Sequence, residues 1–230
     1  MPVIGCMADS GHYLFGLDSL MILGYNNPNA IRKRAFSLFH KGLSKGVLIE
    51  ASKELIEENG MSAFSMRALA EKLGVKTASL YAHIESMDVL FTEVGMSALN
   101  DQKTAQLAAI MGKGGDEAVF ALADSYRTFA KNHAALYQFI MQMPMSKDET
   151  LRDAAAITAE PSIQVLQSYP IPEERRMHWQ RVLRGVMHGF VSQEASGYFS
   201  HYPVDLEKSY CLAIQCVIDG LHKEVLQYEC

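Results

Sequence analysis

From residue 45 onward apolar residues recur at helical spacing, and no stretch shows the period of two that marks a strand. Over about 45–59, Leu48, Ala51, Leu55 and Ile56 form one stripe, which Asn59 and Gly60 close. Residues 65–84 carry two shorter stripes. Met66, Leu69, Ala70 and Leu73 make the first, Leu80 and Ile84 the second, and Val75 plugs the corner between them. Gly74 stands where the C-terminus of the first helix needs a positive φ. Ser86 is a good N-cap for a fourth helix reaching Asn100 or beyond. After a loop at 112–115, a helix over about 116–132 points Val119, Leu122, Ala123, Tyr126, Phe129 and Ala130 inward. A shorter one spans about 133–143 and stops at Pro144. Residues 149–169 read as mostly helical, with Pro161 either a kink or the first turn of a new helix. Tyr169 to Pro172 is a break, and two long helices, about 173–199 and 205–228, close the chain. The pattern predicts an all-α protein. A three-helix unit over 45–91 contains a helix-turn-helix, and a connector helix leads into a larger helical domain over 92–230.

The outward face of the second short helix is unusual. Ala78, Ser79 and Ala82 point away from Leu80 and Ile84, and all three are small. A solvated helix face normally carries Lys, Glu or Gln; a small face lets the backbone approach another surface. Tyr81 and His83 flank it, and Lys76 and Thr77 lie at its N-terminal end. Hydroxyls, a ring nitrogen and a helix N-terminus all suit phosphate. The pattern fits a helix that enters the DNA major groove. Spacing alone also fits a plain helical hairpin. On the first reading Thr77, Ala78, Ser79 and Ala82 face base edges, while Ser65, Arg67, Tyr81 and His83 hold phosphates.

Residues 45–91 resemble the DNA-binding domain of the tetracycline-repressor (TetR) family of bacterial transcription regulators. The resemblance runs through Val47 to Gly60, Phe64 to Val75, Ala78 to Ile84 and Ser86 to Leu90, with Leu80, Tyr81 and His83 its most specific part. Further on, Trp179 followed by His188, Gly189 and Phe190 is similar to one subgroup of the family's ligand-binding domains. Two positions depart: Glu85 and Met87 stand where members often carry lysine beside the DNA backbone. The resemblance implies a homodimer that binds double-stranded operator DNA, acts as a repressor and responds to a small-molecule effector.

Charge refines this picture. The net charge is −5, so the whole chain is not a general polyanion binder. Residues 1–88 hold 9 Lys+Arg and 9 Asp+Glu, against 12 and 17 in 89–230, so the C-terminal part repels DNA more. In the first 44 residues, Arg32, Lys33, Arg34 and Lys41 supply positive charge. These residues fit a basic arm or, preferably, a poorly ordered extension. No apolar run reaches the length of a membrane span, and no basic segment precedes the apolar stretch 13–24, so neither an anchor nor a signal peptide is expected. Cys6, Cys211, Cys216 and Cys230 make no C-x-x-C pair. They read as reduced thiols of a cytoplasmic protein, and neither a zinc site nor a cofactor is expected.

The larger domain is rich in adaptable apolar side chains, which suits a cavity for an apolar ligand. Phe129, Tyr137, Met141, Trp179 and His188 are the candidate lining positions, and an ordinary methionine-rich core explains the same composition. The last two helices are apolar on more than one side. One face closes the domain's own core and the other is expected to meet a second copy, with Gly185, Gly189, Ala213 and Gly220 allowing close approach. On that reading a charge at Val217 or bulk at Gly220 breaks the dimer. The chain has no S-x-x-K, G-x-S-x-G, HExxH or phosphate-loop pattern, which argues against an enzyme. A helical dimer that binds a small molecule without a DNA role, or an enzyme of that kind, is the alternative.

Overall fold

The computed structural model describes residues 42–143, 149, 152, 153, 156 and 158–228. The expectations for residues 1–41 and Pro144 lie outside these. The described residues are helical with no strand. The chain divides into two compact units, one ending at Leu90 and the other beginning at Phe91.

In the first unit α1 (Lys45–Asn59), α2 (Met66–Leu73) and α3 (Thr77–Leu80) surround a small core. Ser44 caps α1 by accepting from the Val47 amide, and Gly60, at φ +74°, ends it. Leu48, Ile56, Leu69 and Leu80 are all fully buried against one another's helices. The turn between α2 and α3 is set by Gly74 at φ +65°, whose amide bonds back to Ala70 and Glu71, while the Val75 amide reaches Ala70 at 3.0 Å. That is a Schellman-type stop, which a residue with a Cβ adopts only under strain. Lys72 fixes α2 on α1: its Nζ lies 2.9 Å from both Glu58 oxygens and 3.4 Å from Glu54.

Helix α4 (Met87–Ile110) starts under Ser86, whose hydroxyl accepts from the Val89 amide. The second unit contains its C-terminal part together with α5 (Gly115–Asn132), α6 (Ala134–Gln142), α7 (Glu160–Leu166), α8 (Glu173–Ala195) and α9 (Leu206–Val225). The core gathers Val119, Leu122 and Tyr126 of α5, Leu166 of α7, Leu183 and Met187 of α8, and Ile214, Ile218 and Leu221 of α9. Pro161 occupies the first turn of α7, so it opens a new helix and does not kink an old one. The expected helix to 199 ends at Ala195 and passes through Gly197, at φ +75°, into a 3-10 turn, Tyr198–His201.

Polar clamps hold α5, α8 and α9 together. Arg127, itself 5% exposed, is held by both Glu194 oxygens at 2.8 and 2.9 Å and by Glu207, and lies 5.0 Å over the Tyr210 ring. Arg175 pairs with Glu224 in the same two-pronged way. Two glycines admit side chains. A Cβ on Gly95 would fall 2.0 Å from the Met143 methyl, and one on Gly220 2.4 Å from the Trp179 ring. Gly220 therefore serves packing within one chain. Val217 is likewise buried in this core, so neither position reports on a second copy. The thiols also differ from expectation: Cys211 is disulfide-bonded, whereas Cys216 is free and exposed.

Candidate DNA-reading helices and effector cavity

The reading surface is built by α2 and α3. Ser65 is the exposed N-cap of α2, and its hydroxyl accepts from the Ala68 amide at 3.2 Å. Helix α3 is shorter than the sequence predicts. Its α-helical part ends at Leu80, and Tyr81 to His83 form a helical turn in which the His83 and Ile84 amides both bond to the Leu80 carbonyl. Three residues after that turn begins, the chain must already extend into the Ser86 cap of α4, which leaves no room for another turn.

Ala78, Ser79, Tyr81 and Ala82 are exposed, whereas Leu80 and Ile84 are buried beneath them. Thr77 and His83 are half-buried at the edges, and Lys76 is exposed at the start. Arg67 pairs with Glu71 at 3.0 Å, but both are exposed, so the pair is weak and exchangeable for a phosphate. Two other lysines of the unit are committed: Lys72 to Glu54 and Glu58, and the buried Lys53 to Glu50 at 2.7 Å. The sequence-derived contact residues are thus exposed or half-buried, and Arg67 and Lys76 are the arginine and lysine among them.

The second unit contains a small cavity lined by Gln102 and Gln106 of α4, Leu122 and Tyr126 of α5, Thr158, Ser162 of α7, and Arg184 and Met187 of α8. Water centres can occupy about 20 Å³ of it, enough for one or two waters. Ser162 donates to the Ala159 carbonyl at 2.8 Å and accepts from Gln180 at 3.4 Å. Behind Tyr126 a chain of polar groups leads away: its hydroxyl is 2.9 Å from that of Tyr137, which is 2.6 Å from Nδ1 of His188. Burial pushes both phenol pKa values up. Burial first, and the Arg184 charge second, hold the His188 imidazole below its usual range.

None of the five residues expected to line a pocket touches this cavity. Tyr137 and His188 stand one and two hydrogen bonds behind it. Phe129 stacks on His133, with ring centres 4.9 Å apart. Met141 is partly exposed on α6, and Trp179 packs against Gly220. A signal for this cavity's lining was present. Leu99, Gln102, Gln106 and Ile110 follow one buried stripe of α4, and two amides on such a stripe mark a polar interior site.

A capped helix pair with a small exposed face, followed by a separate helical unit with its own cavity, defines a helix-turn-helix transcription regulator. Residues 48–94 match the family model for bacterial regulatory proteins of the tetR family, and residues 119–217 match a tetracyclin repressor-like C-terminal domain. An uncharacterized HTH-type transcriptional regulator of Mycobacterium tuberculosis, Rv0681, is 30% identical over 164 residues, which is 71% of this chain and 75% of that one. Among solved structures, a protein of unknown function from Rhodococcus sp. RHA1 shares the fold with TM-score 0.68 and 19% identity, covering 79% of this chain and 96% of that one. A TetR variant from Acinetobacter baumannii AYE in complex with minocycline does so with TM-score 0.59 and 22% identity, covering 79% and 97%. The chain belongs to the TetR family. It is a DNA-binding transcription regulator and not an enzyme.

Proposed function

We propose that the chain is a homodimeric, cytoplasmic repressor that leaves its operator when a small molecule binds the second unit. The observation that carries this reading is the surface of Ala78, Ser79, Tyr81 and Ala82, exposed on a helix whose opposite face is fully buried. Residues 45–91 bind DNA, with Thr77, Ala78, Ser79 and Ala82 at base edges and Ser65, Arg67, Lys76, Tyr81 and His83 at phosphates. Small side chains against thymine methyls and a hydroxyl against a base edge supply the readout. Residues 92–230 bind the effector and form the dimer.

Two copies are needed because one helix reads too few base pairs to find a site in a genome. The outer faces of α8 and α9 support the pairing: Val182, Gly185, Leu212 and Cys216 are exposed, while Leu183, Ile214 and Val217 close the core. Effector binding favours a dimer whose reading helices no longer match successive major grooves, about 34 Å apart. By linkage, operator DNA weakens effector binding by the same factor. The methionine content favours an apolar effector, and the cavity walls combine polar and apolar groups.

A gel-shift assay with the DNA flanking the protein's own gene tests this. A specific shift that competitor DNA leaves intact supports it. A folded dimer that binds a small molecule but no DNA would establish the alternative.

A further inference from the structure

We propose that the cavity between α4, α5, α7 and α8 holds the anionic head of a small organic acid, a carboxylate, with Arg184 as its charge partner and Gln102 as an amide donor. The proposal rests on the reading of the second unit as an effector-binding unit and names the chemistry of the effector.

The charge balance of the walls carries it. Arg184 is the one charged residue among those lining the cavity, and none of them is acidic. Its hydrogen bond is a long one, Nη1 to the Thr158 hydroxyl at 3.4 Å, and it makes no ion pair among the described residues. Arg127 and Arg175 in the same unit are each gripped by a carboxylate through two nitrogens. The charge of Arg184 reaches the neighbouring groups, favouring the charged phenolates of Tyr126 and Tyr137 and opposing a charge on His188.

The second observation is independent. Gln102 is 5% exposed, and its amide nitrogen has no hydrogen-bond partner among the described residues. A buried donor left empty is destabilising. Leucine or methionine would fill the same stripe of α4 without that cost. Gln106, one turn on and equally buried, adds a second amide to the same wall. A planar carboxylate accepts from a guanidinium fork and an amide together.

Tyr126 completes the site. When His188 Nδ1 accepts, Tyr137 donates to it, Tyr126 donates to Tyr137, and only lone pairs of Tyr126 face the cavity. When Nδ1 carries the proton, the chain runs the other way and Tyr126 donates into the cavity. An anionic head selects the second arrangement. The space fits a carboxylate displacing water, with the remainder of the acid lying toward the open side. A phosphate, larger and more highly charged, would call for more than one cation.

The test uses the full-length protein with acetate, butyrate and benzoate as sodium salts. Benzamide and sodium chloride at matched ionic strength are controls. Binding is followed by calorimetry and thermal unfolding. At saturating concentration at least one carboxylate should raise the midpoint by about 2 °C or more, and benzamide should not. Arg184→Gln should weaken that acid at least about tenfold with the helical content unchanged. Gln102→Leu should raise the ligand-free midpoint and still weaken the acid, which a purely structural glutamine would not do. No shift above chloride with any of the three acids, or a shift that survives Arg184→Gln, overturns the proposal. A gel shift on the same samples separates the two readings. Acid binding that depends on Arg184 but leaves DNA bound keeps the site and removes the effector mechanism. Release of DNA by benzamide from wild type and Arg184→Gln alike keeps the mechanism and removes the site.

Discussion

The Tyr137 hydroxyl lies 2.6 Å from Nδ1 of His188, joining α6 to α8 inside the second unit. Tyr137 is 5% exposed and its ring meets that of Tyr126 edge-on at 5.9 Å. Removing the hydroxyl leaves Tyr126 and His188 without their shared partner. Tyr137→Phe should therefore cost about 1–3 kcal/mol and lower the thermal midpoint by several degrees. An unchanged midpoint would mean that water replaces the hydroxyl without loss.

His188 also gives a pH dependence. His188 is held neutral, with a folded pKa below that of the unfolded chain, mainly by burial and then by Arg184. Below about pH 6.5 the unfolded state takes up a proton that the folded state resists. Its contribution is thus fully present above that pH and is lost as pH falls through the folded value. Urea unfolding between pH 5.5 and 8 should show stability declining on the acid side, and His188→Asn should flatten that part of the curve.

Ala78 is exposed at the start of α3, away from the buried Leu80. A carboxylate there would meet the DNA without disturbing the core. Ala78→Glu should weaken operator binding about 100-fold or more, with the dimer still folded. Tyr81→Ala should weaken operator and random DNA by similar factors, since it touches the backbone and not the bases. Anisotropy titrations against both DNAs check the pair.

The salt dependence should be shallow. Arg67 and Lys76 are the cations offered by the reading surface, which makes four in a dimer and a slope of about −4 in log K against log salt. Arg32, Lys33 and Arg34 replaced by glutamine should leave that slope unchanged if those residues do not meet phosphate. A loss of about one unit per residue and half-site would assign them to the DNA backbone.

Leu212 is 66% exposed on α9, whereas Val217, one turn and a half further on, is 4% exposed. Leu212→Asp should give a folded monomer in sedimentation that no longer shifts operator DNA. Val217→Asp should instead unfold the second unit, because the charge is buried without a partner. A dimeric Leu212→Asp protein would place the interface elsewhere.

The helices were legible where local signals are strong. Gly74 ends α2, Ser86 starts α4 and Asn59-Gly60 closes α1 because each signal acts on its own backbone. The length of α3 was not legible, because the approach of the α4 cap shortens it. The cavity escaped for a different reason. Tyr137 and Trp179 are inward-facing like any core residue, and composition does not tell which inward side meets empty space. The free face of α9 was hidden the same way: Val217 and Leu212 are equally apolar in the sequence, and only packing separates them.

Gly220 makes room for Trp179, the single tryptophan of the chain, whose ring lies between α8 and α9 and beside Glu224. Its emission therefore reads the seating of these two helices, not the contents of the cavity, whose first lining residue on α8 is Arg184, five residues further along. A compound that binds while the emission stays constant has filled its site without moving the pair. One that shifts the emission has moved it. The protein thus carries an intrinsic optical reporter that separates occupancy from response.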